Sequence, residues 1–267
     1  MPVYNAEKYL ARCLDSLVCQ TLHNIEILCV NDGSTDNSGA ILNKYAKNDS
    51  RITVFNQENQ GPGSARNTAL DNTKGKYILF CDADDVLDTN AAHECLVIME
   101  NNHVDIVIFN TDIIEIDRIE PGKKNLSGEY ISIVQPKNEG MLNQKESFEI
   151  SILANLWGYC FRSDLINCYN LRFTHYHAGE DGIFLHSYLM LIQSGYALNK
   201  KLYIYYVHKG SLADAALDKH PWLSRFAHLP RLLLNTFKFA VKSKKPFKEI
   251  YVFYWLFVWL RSRKRKV

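Results

Sequence analysis

Hydrophobic and polar residues follow one another in blocks along the first 110 positions, and these blocks predict strands and helices in turn. Runs of apolar residues predict strands at 25–30, 52–55, 77–81 and 105–110. Apolar residues at helical spacing predict helices at about 6–20, 37–47 and 91–102, and a short helix after Ser64. Alternation at this spacing predicts an α/β fold with a mostly parallel central sheet flanked by helices.

The second half of the chain is less regular. Residues 112–145 predict irregular structure or a hairpin. Beyond them the pattern predicts helices at 145–154, 163–168 and 183–193 and strands at 156–162 and 202–207. Two helices, at about 222–243 and 247–264, are expected to close the chain. We therefore divide the chain into one domain of two halves, 1–111 and 112–218, and a helical extension, 219–267.

The most informative stretch is the apolar strand at 77–81, because it ends in three carboxylates, Asp82, Asp84 and Asp85. Buried carboxylates repel one another and are costly to desolvate unless a positive charge lies among them. The stretch therefore predicts a bound cation. Ligands of open parallel sheets bind at the carboxyl ends of the strands, which is where these side chains fall. The alternative is a solvated acidic turn that follows a core strand.

Other polar side chains also fall at the ends of predicted elements. Tyr4 and Asn5 lie at the start of the chain, Asp32 ends the strand at 25–30, and Glu180 and Asp181 lie in a late loop. A crevice with these groups suits a nucleoside diphosphate, since an aromatic ring can stack on the base and a carboxylate can accept hydrogen bonds from base or ribose. Mg²⁺ or Mn²⁺ on the phosphates would take oxygen ligands from the carboxylates.

Five motifs occur in order over about residues 2–212: Pro2-Val3-Tyr4-Asn5, Val30-Asn31-Asp32-Gly33-Ser34-Thr35-Asp36, Gly63-Ser64-Ala65-Arg66-Asn67, Gly75-Lys76-Tyr77-Ile78-Leu79-Phe80 into Asp82-Ala83-Asp84-Asp85, and Gly179-Glu180-Asp181. Together they resemble the family 2 glycosyltransferases, which have the Rossmann-like GT-A fold. A narrower resemblance, to bacterial enzymes that extend lipooligosaccharide or capsular chains, rests on Leu156-Trp157-Gly158 and on the tyrosine-rich strand before Gly210-Ser211.

The resemblance implies a nucleotide-sugar site in the first half of the chain. Tyr4 and Asp32 would hold the nucleobase, usually uracil, and Asp82 would contact the ribose. The neighbouring motif residues Pro2, Asn5 and Ala83 are assigned to the same site. The resemblance further implies that Asp84, the second carboxylate of an Asp-x-Asp motif, binds Mn²⁺ or Mg²⁺.

The second half would supply the catalytic groups and the acceptor site. The resemblance implies that Asp181 is the catalytic base, with Glu180 beside it. Arg66 would lie near the diphosphate or brace Asp82 and Asp85. His208 leads a Gly/Ser loop that would close over the diphosphate. The expected reaction is an inverting, metal-dependent transfer, from a UDP-hexose to a saccharide or glycolipid acceptor of a surface glycan.

Each of these residues also fits a purely structural role. Tyr4 could be a core aromatic residue, and Asp32 could shape a turn and cap a helix. Arg66 could lie on an exposed helix face, and Asp181 could only cap the helix that follows it. A His-x-His sequence, His175 and His177, invites a metal interpretation, but a solvated or acceptor-contacting role is favoured.

Composition and charge place the chain in a reducing compartment and single out its last 49 residues. The seven cysteines are odd in number and form no Cys-x-x-Cys pair, which favours free thiols in the cytoplasm. Residues 219–267 hold 13 Lys and Arg against one acidic residue, whereas residues 1–218 hold 18 against 28. We expect this basic, aromatic tail to bind the anionic inner face of the cytoplasmic membrane, with packing on the body as the alternative. Nucleic acid is not expected, because no reading module accompanies the tail.

Two departures from the family pattern affect these expectations. Family members begin with a hydrophobic strand that runs into Pro-Val-Tyr-Asn, but here Met1 immediately precedes Pro2, so a truncated or misassigned start is expected. Val207 stands where the family often has Arg, which puts the phosphate contacts of the following loop in doubt.

Two other function classes stay open. A sugar-nucleotide nucleotidyltransferase would need a Gly-rich basic loop after its first strand, where this chain has Tyr4-Asn5-Ala6-Glu7. A catalytically silent, membrane-associated binding module would keep Asp32 and Asp84 but have no use for Asp181.

Overall fold

Strands and helices alternate through the described part of the chain. The computed structural model describes residues 1–116, 136–151, 156–174 and 179–208. Its strands are β1 Pro2–Val3, β2 Ile27–Asp32, β3 Ile52–Gln57, β4 Tyr77–Leu79, β5 Val86–Leu87, β6 Ile106–Glu115, β7 Gly140–Asn143, β8 Tyr159–Arg162 and β9 Ser194–Val207. Its helices are α1 Leu10–Val18, α2 Ser38–Asn48, α3 Pro62–Asn72, α4 Ala91–Asn102, α5 Gln144–Ile150, α6 Ser163–Cys168 and α7 Glu180–Leu189.

The strands form two sheets. The first is parallel, in the order β1-β2-β3, and its register pairs Pro2 with Val30 and Val3 with Asn31. The second is mixed, in the order β4-β8-β6-β9-β5, and β7 also pairs with β9. Here β6 and β9 run parallel, whereas β8 returns antiparallel between β4 and β6. The predicted α/β class with flanking helices is confirmed, and the second half of the chain makes its sheet mixed.

Two apolar clusters hold these layers together. The first includes Leu10 and Leu14 of α1 and Cys29 of β2. The second is aromatic, and Phe80 contacts the rings of Phe161, Phe173 and Phe184 edge to face, with ring centroids 5.5–5.7 Å apart. Such edge-to-face contacts are a favourable geometry for buried rings. Phe80 lies two residues before the turn at Asp82–Asp85, which we call the acidic turn, and Phe184 lies in α7. This cluster therefore sets the acidic turn near α7.

Several element boundaries differ from the predicted ones. Helix α1 begins at Leu10, because Asn5 adopts a positive φ of 47° and its side chain accepts hydrogen bonds from Thr35 instead of capping the helix. Strand β9 begins at Ser194, whereas the sequence predicted a strand only from 202. The two-residue strand β5 was not predicted.

The predicted organisation of the chain is only partly covered by the described residues. Strand β6 crosses the predicted boundary after Thr111, and the division into halves stays a prediction. The tail at 219–267 and the pair His175 and His177 lie outside the described residues. Among the helices that are described, none combines the length and the apolar character that crossing a bilayer requires. All seven cysteines are described, and all are free thiols.

Candidate active site

The acidic turn after β4 directs its three carboxylates to three different partners. Asp82 contacts Arg66, Asp84 contacts His208, and the buried Asp85 contacts strand β9. The turn is closed by a hydrogen bond from the Asp85 amide to the Asp82 carbonyl, 3.2 Å long. Three neighbouring negative charges are thus separated, which lowers the repulsion among them.

Arg66 is the centre of a buried ion cluster. Its guanidinium is 2.8 Å from Asp82, 2.7 Å from Asp181 and 3.3 Å from Glu180, and only 4% of its side chain is exposed. The position of Arg66 depends on the next residue of the Gly63–Asn67 motif. Asn67 bonds both the amide and the carbonyl of Phe173, whose ring lies 5.5 Å from the guanidinium. The cluster therefore joins α3, the acidic turn and the first turn of α7.

Close backbone approach allows α3 to meet α7. A Cβ atom at Gly63 would lie 3.0 Å from the Thr174 carbonyl and 3.3 Å from Glu180 Cγ, so any larger side chain would push these segments apart. On the other side, Gly179 caps α7 with a positive φ of 84°. Glu180 and Asp181 therefore lie in the first turn of a helix, where the helix dipole favours negative charge.

The charges of the cluster shift the pKa values of its members. Burial disfavours the charged guanidinium of Arg66, but Asp181 and Asp82 outweigh this effect and raise its pKa above the ordinary value. Burial raises the pKa of Asp181 to about 8, against the opposing charge of Arg66 and with further increases from Glu180 and Asp82. A carboxylate with a pKa near neutrality is suited to accept a proton in catalysis.

Asp84 and His208 form a second polar pair. The imidazole Nε2 lies 2.9 Å from the Asp84 carboxylate, and the His208 ring lies against Tyr9 with ring centroids 4.2 Å apart. Burial, followed by the charge of Asp82, raises the pKa of Asp84, and His208 opposes this shift. Arg12 donates a 2.7 Å hydrogen bond to the Asp84 carbonyl and lies over the ring of Tyr206.

The donor chemistry of this pair fits a divalent cation. Among the described residues no group of three or more His, Cys, Asp or Glu side chains could hold a metal. However, Mg²⁺ and Mn²⁺ typically take only one or two protein ligands when a phosphate supplies the others. Asp84 provides a carboxylate in a crowded acidic turn, and His208 provides a nitrogen beside it. Asp82, which Arg66 already neutralises, is less available as a ligand.

Asp85 corrects one prediction. One of the two roles expected of Arg66 was to brace Asp82 and Asp85, but the Asp85 carboxylate accepts a 2.6 Å hydrogen bond from the Tyr203 hydroxyl and a 2.8 Å bond from the Tyr206 amide. Burial and the charges of Asp84 and Asp82 raise its pKa well above the ordinary value. Tyr203 also accepts a hydrogen bond from the Asp82 amide, so its hydroxyl links two residues of the turn. Asp85 therefore joins the acidic turn to strand β9 by hydrogen bonds.

The residues assigned to the nucleobase lie at the carboxyl ends of β1 and β2. Tyr4 follows β1 and is 52% exposed, so it is not a core aromatic residue. The carboxylate of Asp32 is almost fully buried and accepts hydrogen bonds from the amides of Gln60 and Gly61 and from the Gln57 side chain. Asp32 thus shapes the loop before α3, which is not the turn at 33–36 or the helix cap that its structural alternative predicted. Its contact with a base stays a prediction.

Three supporting residues escaped the sequence analysis. Tyr9 and Arg12 were assigned only to an amphipathic helix, although they contact His208 and Asp84. Tyr203 was noted only as part of a tyrosine-rich strand. The signal available was weak: an Arg near the start of a helix and a run of tyrosines facing an acidic turn. Of the other assigned residues, Pro2 pairs with Val30 and Ala83 is buried within the turn.

Comparison with known proteins identifies the family. The sequence profile described as Glycosyl transferase family 2 matches residues 1–161. Among curated proteins, glycosyltransferase GlyA of Streptococcus pneumoniae is 35% identical over 88% of this chain and 34% of its own length. The uncharacterized glycosyltransferase EpsJ of Bacillus subtilis is 34% identical over 82% of this chain and 64% of its own length. The chain thus spans between one third and two thirds of these relatives.

The fold also matches a solved structure. S. aureus TarS 1-349, determined in complex with UDP, superposes with a TM-score of 0.68 and 22% identity, over 94% of this chain and 66% of TarS 1-349. TarS 1-349 has also been solved in complex with UDP-GlcNAc. At this identity the match establishes the GT-A fold of the chain and nothing finer.

Proposed function

Because this chain belongs to glycosyl transferase family 2, we propose that it transfers a sugar from a nucleotide-sugar donor to a saccharide acceptor, with inversion at the anomeric carbon. The observation that carries the proposal is the Arg66 cluster, in which one buried guanidinium lies 2.8 Å from the Asp82 carboxylate and 2.7 Å from the Asp181 carboxylate. Residues from α3, the acidic turn and α7 are thereby brought to one site, which is the minimum that a donor site and a base acting together require.

The donor is proposed to be a UDP-sugar. TarS, which shares this fold, has been solved with UDP and with UDP-GlcNAc. In this chain the exposed ring of Tyr4 is available to stack on a uracil at the end of β1. Asp32 lies at the end of the neighbouring strand, β2, and organises the loop that follows β3. Asp82, whose side chain is 31% exposed, would accept a hydrogen bond from the ribose.

The reaction needs a base on the acceptor side. As the acceptor oxygen forms its bond to the anomeric carbon, the bond from that carbon to the β-phosphate oxygen breaks and the nucleoside diphosphate leaves. The hydroxyl proton passes to Asp181, a step typically worth about 10²–10⁴ in rate. Attack from the side opposite the leaving group inverts the anomeric centre in one step, so no covalent intermediate is required.

Asp84 and His208 are proposed to hold a Mn²⁺ or Mg²⁺ ion at the diphosphate. When bound, such an ion neutralises the charge that develops on the leaving diphosphate. Asp84 is suited to this role because burial and its acidic neighbour leave its charge poorly compensated. His208 lies directly before the segment at 209–218, so it connects the donor site to the later part of the chain.

The acceptor is proposed to be a saccharide or glycolipid of a bacterial surface glycan. The basic segment at 219–267 would bring the site to an anionic membrane, where a lipid-linked acceptor is available. This part of the proposal rests on charge and composition, and binding to vesicles with and without anionic lipid tests it separately.

A donor screen tests the proposed reaction. The protein is incubated with Mn²⁺, a panel of nucleotide sugars and oligosaccharide acceptors, and products are followed by mass and by release of the nucleoside diphosphate. The proposal predicts a hexose added from a UDP-sugar, an inverted anomeric configuration by NMR, and loss of activity with chelator. A parallel reaction with UTP and a hexose 1-phosphate tests the nucleotidyltransferase alternative, which predicts release of pyrophosphate there and no transfer to an oligosaccharide. Donor binding without turnover of any acceptor or of the donor itself would favour a silent binding module.

A further inference from the structure

The exposed ring of Tyr4 is carried by a loop that contacts a second loop at the same edge of the sheet. The Tyr4 loop, residues 4–7, leads from β1 towards α1, and the Asp36 segment, residues 34–38, leads from β2 into α2. Because 52% of Tyr4 is exposed, the backbone on either side of it largely determines where its ring lies. The position of the ring therefore depends on what fixes the Tyr4 loop.

The two segments exchange hydrogen bonds in both directions. Three successive amides of the Tyr4 loop donate to side chains of the Asp36 segment at 2.9–3.1 Å: Asn5 to Ser34, Ala6 to Ser38 and Glu7 to Asp36. In return, two amides of the Asp36 segment donate to side chains of the Tyr4 loop: Thr35 to Asn5 at 2.8 Å and Asn37 to Glu7 at 2.9 Å. Backbone amides of irregular segments beside helix starts need partners from outside the helices, and here each segment supplies them to the other.

The conformation of Asn5 shows that these bonds hold the Tyr4 loop in a demanding shape. Asn5 has a φ of 47°, in the left-handed region that Asn tolerates better than most residues but that is still unfavourable without a compensating contact. The amide of Thr35 bonds its side chain, and its own amide bonds Ser34. Asn5 directly follows Tyr4, so loss of the contact between the two segments would let this residue relax and would displace the ring.

Glu7 and Asp36 join the two segments through different sets of atoms. One oxygen of Glu7, Oε2, accepts both the backbone amide and the side-chain amide of Asn37, at 2.9 and 2.8 Å. Asp36 uses both oxygens, since Oδ2 accepts the Glu7 amide at 3.0 Å and Oδ1 accepts the Ser38 amide at 2.9 Å. Burial opposes the charge on Asp36, but the hydrogen bonds from Ser38 and from the Glu7 amide outweigh it and lower its pKa.

We propose that Glu7 and Asp36 are positioning residues of the donor site, which hold the Tyr4 loop in the conformation that stacks Tyr4 on the base. They act through Tyr4 and do not touch the donor. A loop that is already ordered loses little conformational entropy when the donor binds, so the affinity is higher. This inference rests on the proposed binding of a UDP-sugar, and adds that the affinity for its uridine end is determined by the contact between two loops.

Four variants test this inference by calorimetric titration with UDP in the presence of Mn²⁺. Glu7→Ala removes both bonds to Asn37, whereas Glu7→Gln keeps an amide oxygen that can accept both. Asp36→Asn has one acceptor oxygen where the carboxylate uses two, so it loses one of its bonds. Glu149→Ala is the matched control, because Glu149 is an exposed glutamate of α5 that pairs with Lys145. Thermal melting without UDP shows that each variant is folded.

Glu7→Ala and Asp36→Asn are expected to raise the Kd for UDP about tenfold, the effect of ordering roughly one residue on binding. The KM for the UDP-sugar found in the donor screen should rise by a similar factor, with kcat within about twofold of the parent value. Glu7→Gln and Glu149→Ala should bind UDP within about twofold of the parent protein. In a Tyr4→Ala background, Glu7→Ala should change the Kd by less than about twofold, because both substitutions act through one contact.

Three results are decisive against the inference. Unchanged UDP affinity in Glu7→Ala and Asp36→Asn would overturn it. Equal losses from Glu7→Ala in the parent protein and in the Tyr4→Ala background would also overturn it, because Glu7 would then act on the fold in general. A parent protein that does not bind UDP, or a Tyr4→Ala variant that binds UDP as tightly as the parent, would reject the proposed donor site itself, and this inference with it.

Discussion

The guanidinium of Arg66 lies 2.7 Å from the carboxylate of Asp181, although the two residues are 115 positions apart in the chain. The same guanidinium reaches Asp82 at 2.8 Å. One buried cation therefore fixes the distance between the proposed donor side and the proposed base. Any change that removes this cation affects both the stability of the site and the reaction proposed for it.

Replacing Arg66 is predicted to be strongly destabilising. Arg66→Ala leaves Asp82, Glu180 and Asp181 without their shared counter-charge, which we expect to cost about 3–5 kcal/mol of unfolding free energy. Arg66→Lys keeps one charge but loses the planar fork, so we expect a smaller loss of stability. Urea denaturation measures both. The control is Arg172→Ala, since Arg172 pairs with the exposed Asp71 and should change stability by about 1 kcal/mol or less. Equal losses of unfolding free energy in Arg66→Ala and Arg172→Ala would contradict the stabilising role of the Arg66 cluster.

Activity is predicted to rise with pH up to about pH 8. The base must be ionised to accept a proton, and burial raises the pKa of Asp181 to about 8. Below that value kcat/KM should fall about tenfold for each pH unit. The stability contribution has the opposite sign. A carboxyl whose folded pKa is raised above its ordinary 3.8 favours folding at acid pH, and that contribution is lost as the pH rises through about 8.

A variant at Glu180 tests the same assignment. Because the charge of Glu180 raises the pKa of Asp181, Glu180→Gln should move the inflection of the pH profile to lower pH and leave a working base. The profile of kcat/KM between pH 5 and 9 measures this shift. A profile without inflection, or an inflection unmoved by the substitution, is not compatible with Asp181 as a base coupled to Glu180.

Metal binding is predicted to depend on Asp84 and His208. Asp84→Asn and His208→Ala should each weaken Mn²⁺ binding in the presence of UDP by at least roughly 10–100-fold, which is the range for losing a partner of a metal ligand, because each removes a proposed ligand. Calorimetric titration measures the affinity. Asp112→Asn is the control, because Asp112 is an exposed carboxylate that pairs with Lys201. Unchanged Mn²⁺ affinity in both site variants would place the metal elsewhere.

The Tyr203 hydroxyl is predicted to stabilise the acidic turn. Tyr203→Phe removes the donor to buried Asp85 and the acceptor of the Asp82 amide, which should cost about 1–3 kcal/mol. Tyr205→Phe keeps a ring stacked 4.9 Å from Trp157 and should change stability by about 0.5 kcal/mol or less. Chemical denaturation of both variants separates the hydroxyl contribution from ring packing. Similar losses of unfolding free energy in the two variants would argue against a stabilising role of the Tyr203 hydroxyl.

The residues that sequence reasoning placed correctly are those with a local signal. The apolar run at 77–81 ends in carboxylates, so its place beside the site could be read from order and charge alone. Strand 106–109 is a continuous apolar run and is buried on both faces, as expected for a central strand. Glu180 and Asp181 could be joined to Asp82 only through the family resemblance, because nothing local connects positions 82 and 181.

What the sequence did not reveal depends on long-range contacts. Residues 194–201 contain Gly, Asn and two Lys and resemble a loop, yet they form β9 because β6 and β7 pair with them. The Asp105 carboxylate accepts a hydrogen bond from the backbone amide of Gln193, in the short segment between α7 and β9. Asp85 likewise has the same local pattern as Asp82, and only the arrival of Tyr203 from β9 determines that it points inward.

The most direct test of the account is Asp181→Asn. The amide keeps the shape of the side chain but cannot take up the acceptor proton, so kcat should fall by about 10²–10⁴ while the Kd for the UDP-sugar stays within about threefold. Asp164→Asn, which alters an exposed partner of Arg162, is the matched control and should leave both constants unchanged. Turnover of the Asp181 variant within threefold of the parent protein would contradict the account.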